Sequence, residues 1–177
     1  MTLNGFFKGS NEDTSWHKHG GEEAKYSEES LKQGNILLFG RRTYEMMADF
    51  WPTPMARESF PKVAEGMNKA EKIVFSKTPF EPKWENTRVI SGDIVEEMRK
   101  LKATSGKDMT ILGSGTIISL FADQGLIDEY QFMIDPVALP EGTPVFKNVK
   151  GKLDLRLTGS KVFKSGVVLL NYQPTRK

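Results

Sequence analysis

From Ile36 onward, short apolar runs alternate with stretches whose apolar residues recur at helical spacing, the pattern of an α/β chain with parallel strands. Ile36-Leu37-Leu38-Phe39 is an unbroken apolar run closed by Gly40, and Thr43 to Ala48 follows with a helical pattern, which predicts strand, turn and helix. Ile73-Val74-Phe75 and Arg88-Val89-Ile90 predict two further strands. After the second, Asp93 is placed to cap a helix, with Glu96 three residues on and Ile94, Val95, Met98 and Leu101 on one face. Met109 to Leu112 then runs into Gly113-Ser114-Gly115, and 116–122 predicts a helix ended by Gly125, so the strand, glycine turn and helix unit occurs twice.

The later pattern has a period of two. Tyr130, Phe132 and Ile134 alternate with Gln131, Met133 and Asp135, and Leu153, Leu155 and Leu157 alternate with Asp154, Arg156 and Thr158, as in half-buried strands. Val167 to Leu170 pairs with the Leu153 strand through a turn near Lys164-Ser165-Gly166, giving a mixed sheet, parallel early and antiparallel late. Residues 6–35 are polar, with a helix over 22–31 that Gly34 stops. The Pro-rich region, Trp51-Pro52-Thr53-Pro54 and then Pro61, Pro79 and Pro82, reads as connecting loops.

Composition narrows the classes of function. A chain of 177 residues is the size of one domain, spanning 1–177. A net charge of +2 with both signs interspersed excludes the single-sign field of a nucleic-acid binder. No cysteine is present, which removes disulfides, thiolate metal sites and thiol nucleophiles and fits a reducing cytoplasm. No apolar run is long enough for a membrane helix, and the N-terminus lacks the pattern of a secretory signal. The expected location is cytoplasmic. His17 and His19 flank Lys18 and share one side of an extended segment, but with no third His and no Cys a metal site is not expected.

The two glycine turns carry the chemistry. A helix N-terminus presents unpaired N–H groups at the positive end of its dipole, and glycine lets a phosphate approach the backbone. Gly40-Arg41-Arg42-Thr43 adds a cation and a hydroxyl to one such turn, and Gly113-Ser114-Gly115-Thr116 supplies a second set of donors. Either turn alone also fits a tight chain reversal with no ligand. Two in one small domain favour a dinucleotide.

The chain resembles the dihydrofolate reductase-like superfamily, and within it the reductase domain of bacterial riboflavin biosynthesis and its stand-alone relatives. The resemblance rests on Leu3-Asn4-Gly5-Phe6, on Ile36 to Met46, on Met67-Asn68 to Phe75-Ser76-Lys77-Thr78, on Val89 to Asp93, on Ile111 to Gly115, and on Gly125 to Val137. It implies a three-layer αβα domain with a mixed, mostly parallel central sheet and a C-terminal antiparallel pair. It also implies NADPH (NADP) as cofactor and a homodimer. Gly40, Arg41 and Thr43 would hold cofactor phosphates, Ser76, Lys77 and Thr78 would surround the adenosine 2′-phosphate, and Gly113, Ser114, Gly115 and Thr116 would lie against the pyrophosphate and nicotinamide.

Three features depart from the family pattern. The expected first strand is a stub, because Met1 stands almost directly before the Leu3-Asn4-Gly5 turn, so that either the start lies upstream or the sheet is completed differently; Asn4 stands where the family commonly has Asp; and the early acid after a Trp has no residue in clean register. Trp16 is present, and Glu22 and Glu23 follow at nearly the matching separation as candidate catalytic acids, although adjacent Glu at a helix start also fit a surface role that complements the dipole. Asn4, Trp16 and Trp51 are candidate substrate contacts, with core packing the alternative for Trp51. The implied activity is NADPH-dependent hydride transfer to a small pteridine-like or pyrimidine-like heterocycle, with a non-catalytic nucleotide-binding module of the same fold as the alternative.

Overall fold

The structure, a computed structural model, describes residues 1–18 and 20–175. The chain divides into two compact units, one formed by 24–117 and the other by 1–23 with 118–177.

In the 24–117 unit, four parallel strands are β2 (Ile36–Gly40), β3 (Lys72–Phe75), β4 (Thr87–Ile90) and β5 (Met109–Ile111). They lie in the order β4-β3-β2-β5, with Leu38 opposite Ile73 on one side and opposite Ile111 on the other. The central strands β2 and β3 are buried along nearly their whole length, as their uninterrupted apolar runs require for strands covered on both faces. Leu37, Phe39 and Val74 join Tyr44, Met67 and Trp84 in one buried cluster. Asp93 caps α5 (Ile94–Thr104) as its spacing predicts, its side chain accepting from the Glu96 N–H at 3.0 Å.

The Pro-rich region departs from the expected loops. Two helices follow α2 (Arg41–Phe50) there, α3 (Pro54–Ser59) and α4 (Pro61–Lys69), each opening on a proline. The first turn of a helix has no intrahelical partner for its N–H groups, so a residue lacking N–H starts a helix at no loss, and its fixed φ suits that position. Thr53 completes the α3 start by accepting from the Ala56 N–H. Pro79 and Pro82 do lie in an irregular connection between β3 and β4.

Lys72 opens β3 with no exposed surface, and its ammonium donates to the carbonyls of Met67, Asn68 and Ala70 at 2.9, 3.0 and 2.6 Å. These are the last carbonyls of α4 and its C-cap, where a cation meets both orphan acceptors and the negative end of the dipole. The same ammonium lies 4.5 Å from the Trp84 ring centroid.

In the other unit, β6 (Tyr130–Ile134), β8 (Leu155–Val162) and β9 (Val168–Pro174) form an antiparallel sheet in the order β6-β9-β8. The pair expected at the C-terminus is therefore a triplet, with the β8–β9 turn at Lys164-Ser165-Gly166 as predicted. β8 begins at Leu155 rather than Leu153 and shifts register between Leu157 and Gly159, which leaves Leu157 exposed on an edge strand. β1 (Phe6–Lys8) pairs with the short β7 (Thr143–Pro144), a pairing with no signature in the polar stretch 6–35. Before β1, Thr2 makes a single parallel bridge to Asp135.

Candidate functional site

In the sheet of the 24–117 unit the chain leaves β2, adds β3 and β4 on one side, and returns to place β5 on the other. The carboxyl ends of β2 and β5 thus flank the point where strand order reverses, the place where open α/β sheets bind ligands. Both glycine turns stand there. Gly40 ends β2 and is the N-cap of α2, with no side chain to cap it. Gly113-Ser114 follows β5 and leads into α6 (Gly115–Asp123).

The two turns touch. The Gly40 N–H donates to the Ser114 hydroxyl at 2.9 Å, and that hydroxyl donates to the Leu112 carbonyl at 3.0 Å. Gly113 and Ser114 both have positive φ, 55° and 57°, a conformation that costs a side-chain-bearing residue about 1–2 kcal/mol and glycine almost nothing. A Cβ on Gly113 would lie 3.3 Å from the Thr43 Cγ2, so the absence of a side chain also lets the β5 turn settle against the start of α2. Ser114 is buried, whereas Gly113 and Thr116 are exposed and Gly115 is half-buried.

The neighbouring end of β3 supplies the third segment. Ser76 is buried and its N–H donates to the Ile90 carbonyl, while Lys77 and Thr78 are exposed. Arg41, at the first position of α2, reaches this segment: its Nη1 donates to the Thr78 Oγ1 at 3.4 Å and its Nε to the Glu45 Oε1 at 2.8 Å. The guanidinium lies 4.6 Å from the centroid of the Phe80 ring. All ten residues expected to hold a cofactor are therefore gathered at the carboxyl ends of three adjacent parallel strands. Two helix N-termini, two cations and a glycine turn open to solvent make a receptor for an elongated, multiply anionic ligand. NADP fits that donor set.

The remaining candidates have other surroundings. Trp51 is the C-cap of α2, about 17 Å along the helix axis from Gly40. Its ring packs edge-on to Phe50 and Phe60 against the apolar cluster, and its carbonyl accepts from the Asn68 amide. In the other unit, the Asn4 amide donates to the Leu139 carbonyl at 2.7 Å while its oxygen accepts from the Leu139 N–H and the Thr2 hydroxyl. A carboxylate cannot make both bonds to Leu139. Trp16 is half-buried and donates to the Asp13 carbonyl.

Glu22 and Glu23 open α1 (Gly21–Lys32) and border a shallow depression with Lys18, Lys164 and Ser165. The Glu22 carboxylate accepts from the Lys164 N–H at 2.9 Å, and Glu23, only 4% exposed, accepts from the Ser165 hydroxyl. For Glu23 the surface reading is thus replaced by a buried one, and both acids tie the start of α1 to the β8–β9 turn. His17 Nδ1 lies 2.8 Å from a carboxylate oxygen of Asp135, which is 1% exposed and also accepts from the Lys18 N–H. His19 lies outside the described residues. Among the described residues no group of three or more His, Cys, Asp or Glu could hold a metal ion, and no helix is long and apolar enough to cross a membrane.

Sequence reasoning missed Phe80, hidden in the Pro-rich connection, and Lys72, which the strand pattern skips as polar. Asp135 was visible only as the polar end of the β6 alternation.

Comparison with known proteins bears on the family and the fold. A family described as the RibD C-terminal domain matches residues 1–169. An uncharacterized protein of Bacillus subtilis (strain 168), YyaP, is 31% identical over 173 residues, 97% of this chain and 90% of that protein. Among solved structures, the dihydrofolate reductase of Enterococcus faecalis complexed with NADP(H) superposes with a TM-score of 0.69 at 16% identity, covering 99% of this chain and 93% of that one. A diaminohydroxyphosphoribosylaminopyrimidine deaminase/5-amino-6-(5-phosphoribosylamino)uracil reductase of Thermotoga maritima gives a TM-score of 0.69 at 15% identity, with 98% of this chain covering 54% of that one. The mixed α/β fold is that of the dihydrofolate reductase-like structures.

Proposed function

Because the chain belongs to the RibD C-terminal domain family, we propose that it is an NADPH-dependent oxidoreductase acting on a small pteridine-like or pyrimidine-like heterocycle, working as a cytoplasmic homodimer. The observation that carries this reading is the contact of the two glycine turns at the switch point of the parallel sheet, the Gly40 N–H bonded to the Ser114 hydroxyl. The fold neighbours include a dihydrofolate reductase complexed with NADP(H) and a 5-amino-6-(5-phosphoribosylamino)uracil reductase, names that contain a pteridine and a pyrimidine.

In this reading the first-turn N–H groups of α2 and the backbone of Gly113 and Gly115 hold the diphosphate. Arg41 and Lys77, with the hydroxyls of Ser76 and Thr78, receive the ribose 2′-phosphate, where cations beside short hydroxyl donors select a dianion. Bound there, NADPH supplies hydride from its nicotinamide C4. Ser114, fixed by its bonds to Gly40 and Leu112, keeps the turn closed against α2.

A thermal shift series with NADPH, NADH and neither tests the reading. NADPH stabilises the wild type more than NADH does, and Arg41→Ala or Lys77→Ala abolishes the difference. An equal response to the two nucleotides removes the 2′-phosphate assignment. Stabilisation by NADPH with no oxidation of it in the presence of pterin or aminouracil substrates refutes the reductase activity.

A further inference from the structure

Arg41 is an exposed side chain at a helix start, a position where arginine ordinarily samples many rotamers. Here three groups converge on its guanidinium: the Glu45 carboxylate on Nε, the Thr78 hydroxyl on Nη1, and the face of Phe80 at 4.6 Å. Phe80 is itself held. Its ring lies 5.7 Å from that of Tyr44, which is 2% exposed, and Tyr44 lies 6.2 Å from the ring of Trp84. The Tyr44 hydroxyl accepts from the Trp84 backbone N–H at 2.9 Å, and the far end of the series is closed by the Lys72 ammonium over Trp84. An aromatic column thus runs from a buried cation to an exposed one, and only its last ring reaches the surface.

We propose that Phe80 is the residue that positions Arg41 to discriminate a phosphate monoester on the bound nucleotide, so that cofactor preference is set by a ring that makes no polar contact with the cofactor. This rests on the NADPH reading given above. A guanidinium lying on an aromatic face keeps its in-plane N–H donors, of which Nε is engaged by Glu45 and Nη1 by Thr78. Nη2 donates to neither, which leaves guanidinium N–H donors for phosphate oxygens. Ser76, Lys77, Thr78 and Phe80 belong to one short connection, and Pro79 fixes the backbone between hydroxyl and ring. The ring and the phosphate-binding groups are therefore neighbours on one segment of chain. Phe80 acts through Arg41 and is a positioning residue.

The test is the dissociation constant of the full chain for NADPH and for NADH, measured by calorimetry on the wild type, Phe80→Leu, Phe80→Tyr and Arg41→Ala. Leu keeps apolar bulk against Tyr44 but offers no π face. The expected result is a loss of about fivefold in NADPH affinity for Phe80→Leu, the scale of a cation–π contact at an exposed site with some loss of rotamer order. NADH affinity stays unchanged, and the wild-type preference is restored in Phe80→Tyr. Equal weakening for both nucleotides overturns the proposal, because it marks a purely structural ring; so does an unchanged NADPH preference in Phe80→Leu while Arg41→Ala loses it. A wild type that binds neither nucleotide, or both alike, instead refutes the NADPH reading, and the proposal with it.

Discussion

Replacing Lys72 by Met probes how the α4 to β3 connection is held. The ammonium satisfies three carbonyls at the end of α4 and faces the Trp84 ring, all without exposed surface. Methionine matches the stem but donates nothing, and the Met67 carbonyl, buried beneath it, loses a partner. Leaving buried acceptors unpaired costs about 1–3 kcal/mol, and the lost cation–π contact adds up to about 1 kcal/mol. Removal of a desolvated charge offsets part of this, so the expected net loss at pH 7 is about 2 kcal/mol.

The same site has a pH signature. Burial pushes the Lys72 ammonium down to about 8, against the partial opposition of Glu85, from an ordinary value of 10.5. Below pH 8 the group is protonated in both native and unfolded chains and the native state carries the full cost of its burial. Between pH 8 and 10.5 the native state releases its proton first, the unfolded chain binds more protons, and stability rises with pH. The expected gain is at most about 1.4 kcal/mol per pH unit in that window, so the deficit of the Met variant widens from pH 8 to pH 10. Urea denaturation of both proteins at pH 7, 8, 9 and 10, taken as a difference so that other titrating groups cancel, measures this. A deficit that stays constant or narrows over that range would refute the reasoning.

Two further outcomes follow from the geometry. Gly113→Ala places a Cβ at positive φ and against Thr43; the chain loses about 1–2 kcal/mol in chemical denaturation and binds NADPH more weakly, whereas the same change at Gly106, whose Cβ would meet open space, does not affect nucleotide binding. Asn4→Asp sets a carboxylate against the Leu139 carbonyl in place of a donor; the expected loss is about 1 kcal/mol in thermal or urea unfolding at pH 7.

What the chain reveals on its own is what neighbouring residues decide. The uninterrupted apolar runs of β2 and β3, the Asp93 cap, the glycines that follow the β2 and β5 runs and the β8–β9 turn are consequences of local sterics, hydrogen bonding and solvent exclusion. They brought into view the two glycine turns, Gly40 to Thr43 and Gly113 to Thr116, whereas Ser76, Lys77 and Thr78 entered only through the resemblance to the family. The helices α3 and α4 were obscured because proline is read first as a breaker, although at a first turn it breaks nothing. Tertiary structure alone settles the pairing of distant groups: Arg41 upon Phe80, Lys72 beneath the end of α4, Glu23 upon Ser165, His17 against Asp135. Each of these partners is a side chain whose type is common on any surface, and only burial and strand order, which set which residues meet, give it a defined task. The order β4-β3-β2-β5 is of the same kind, because the pairing of β5 with β2 joins residues far apart in the sequence, and no local pattern records that.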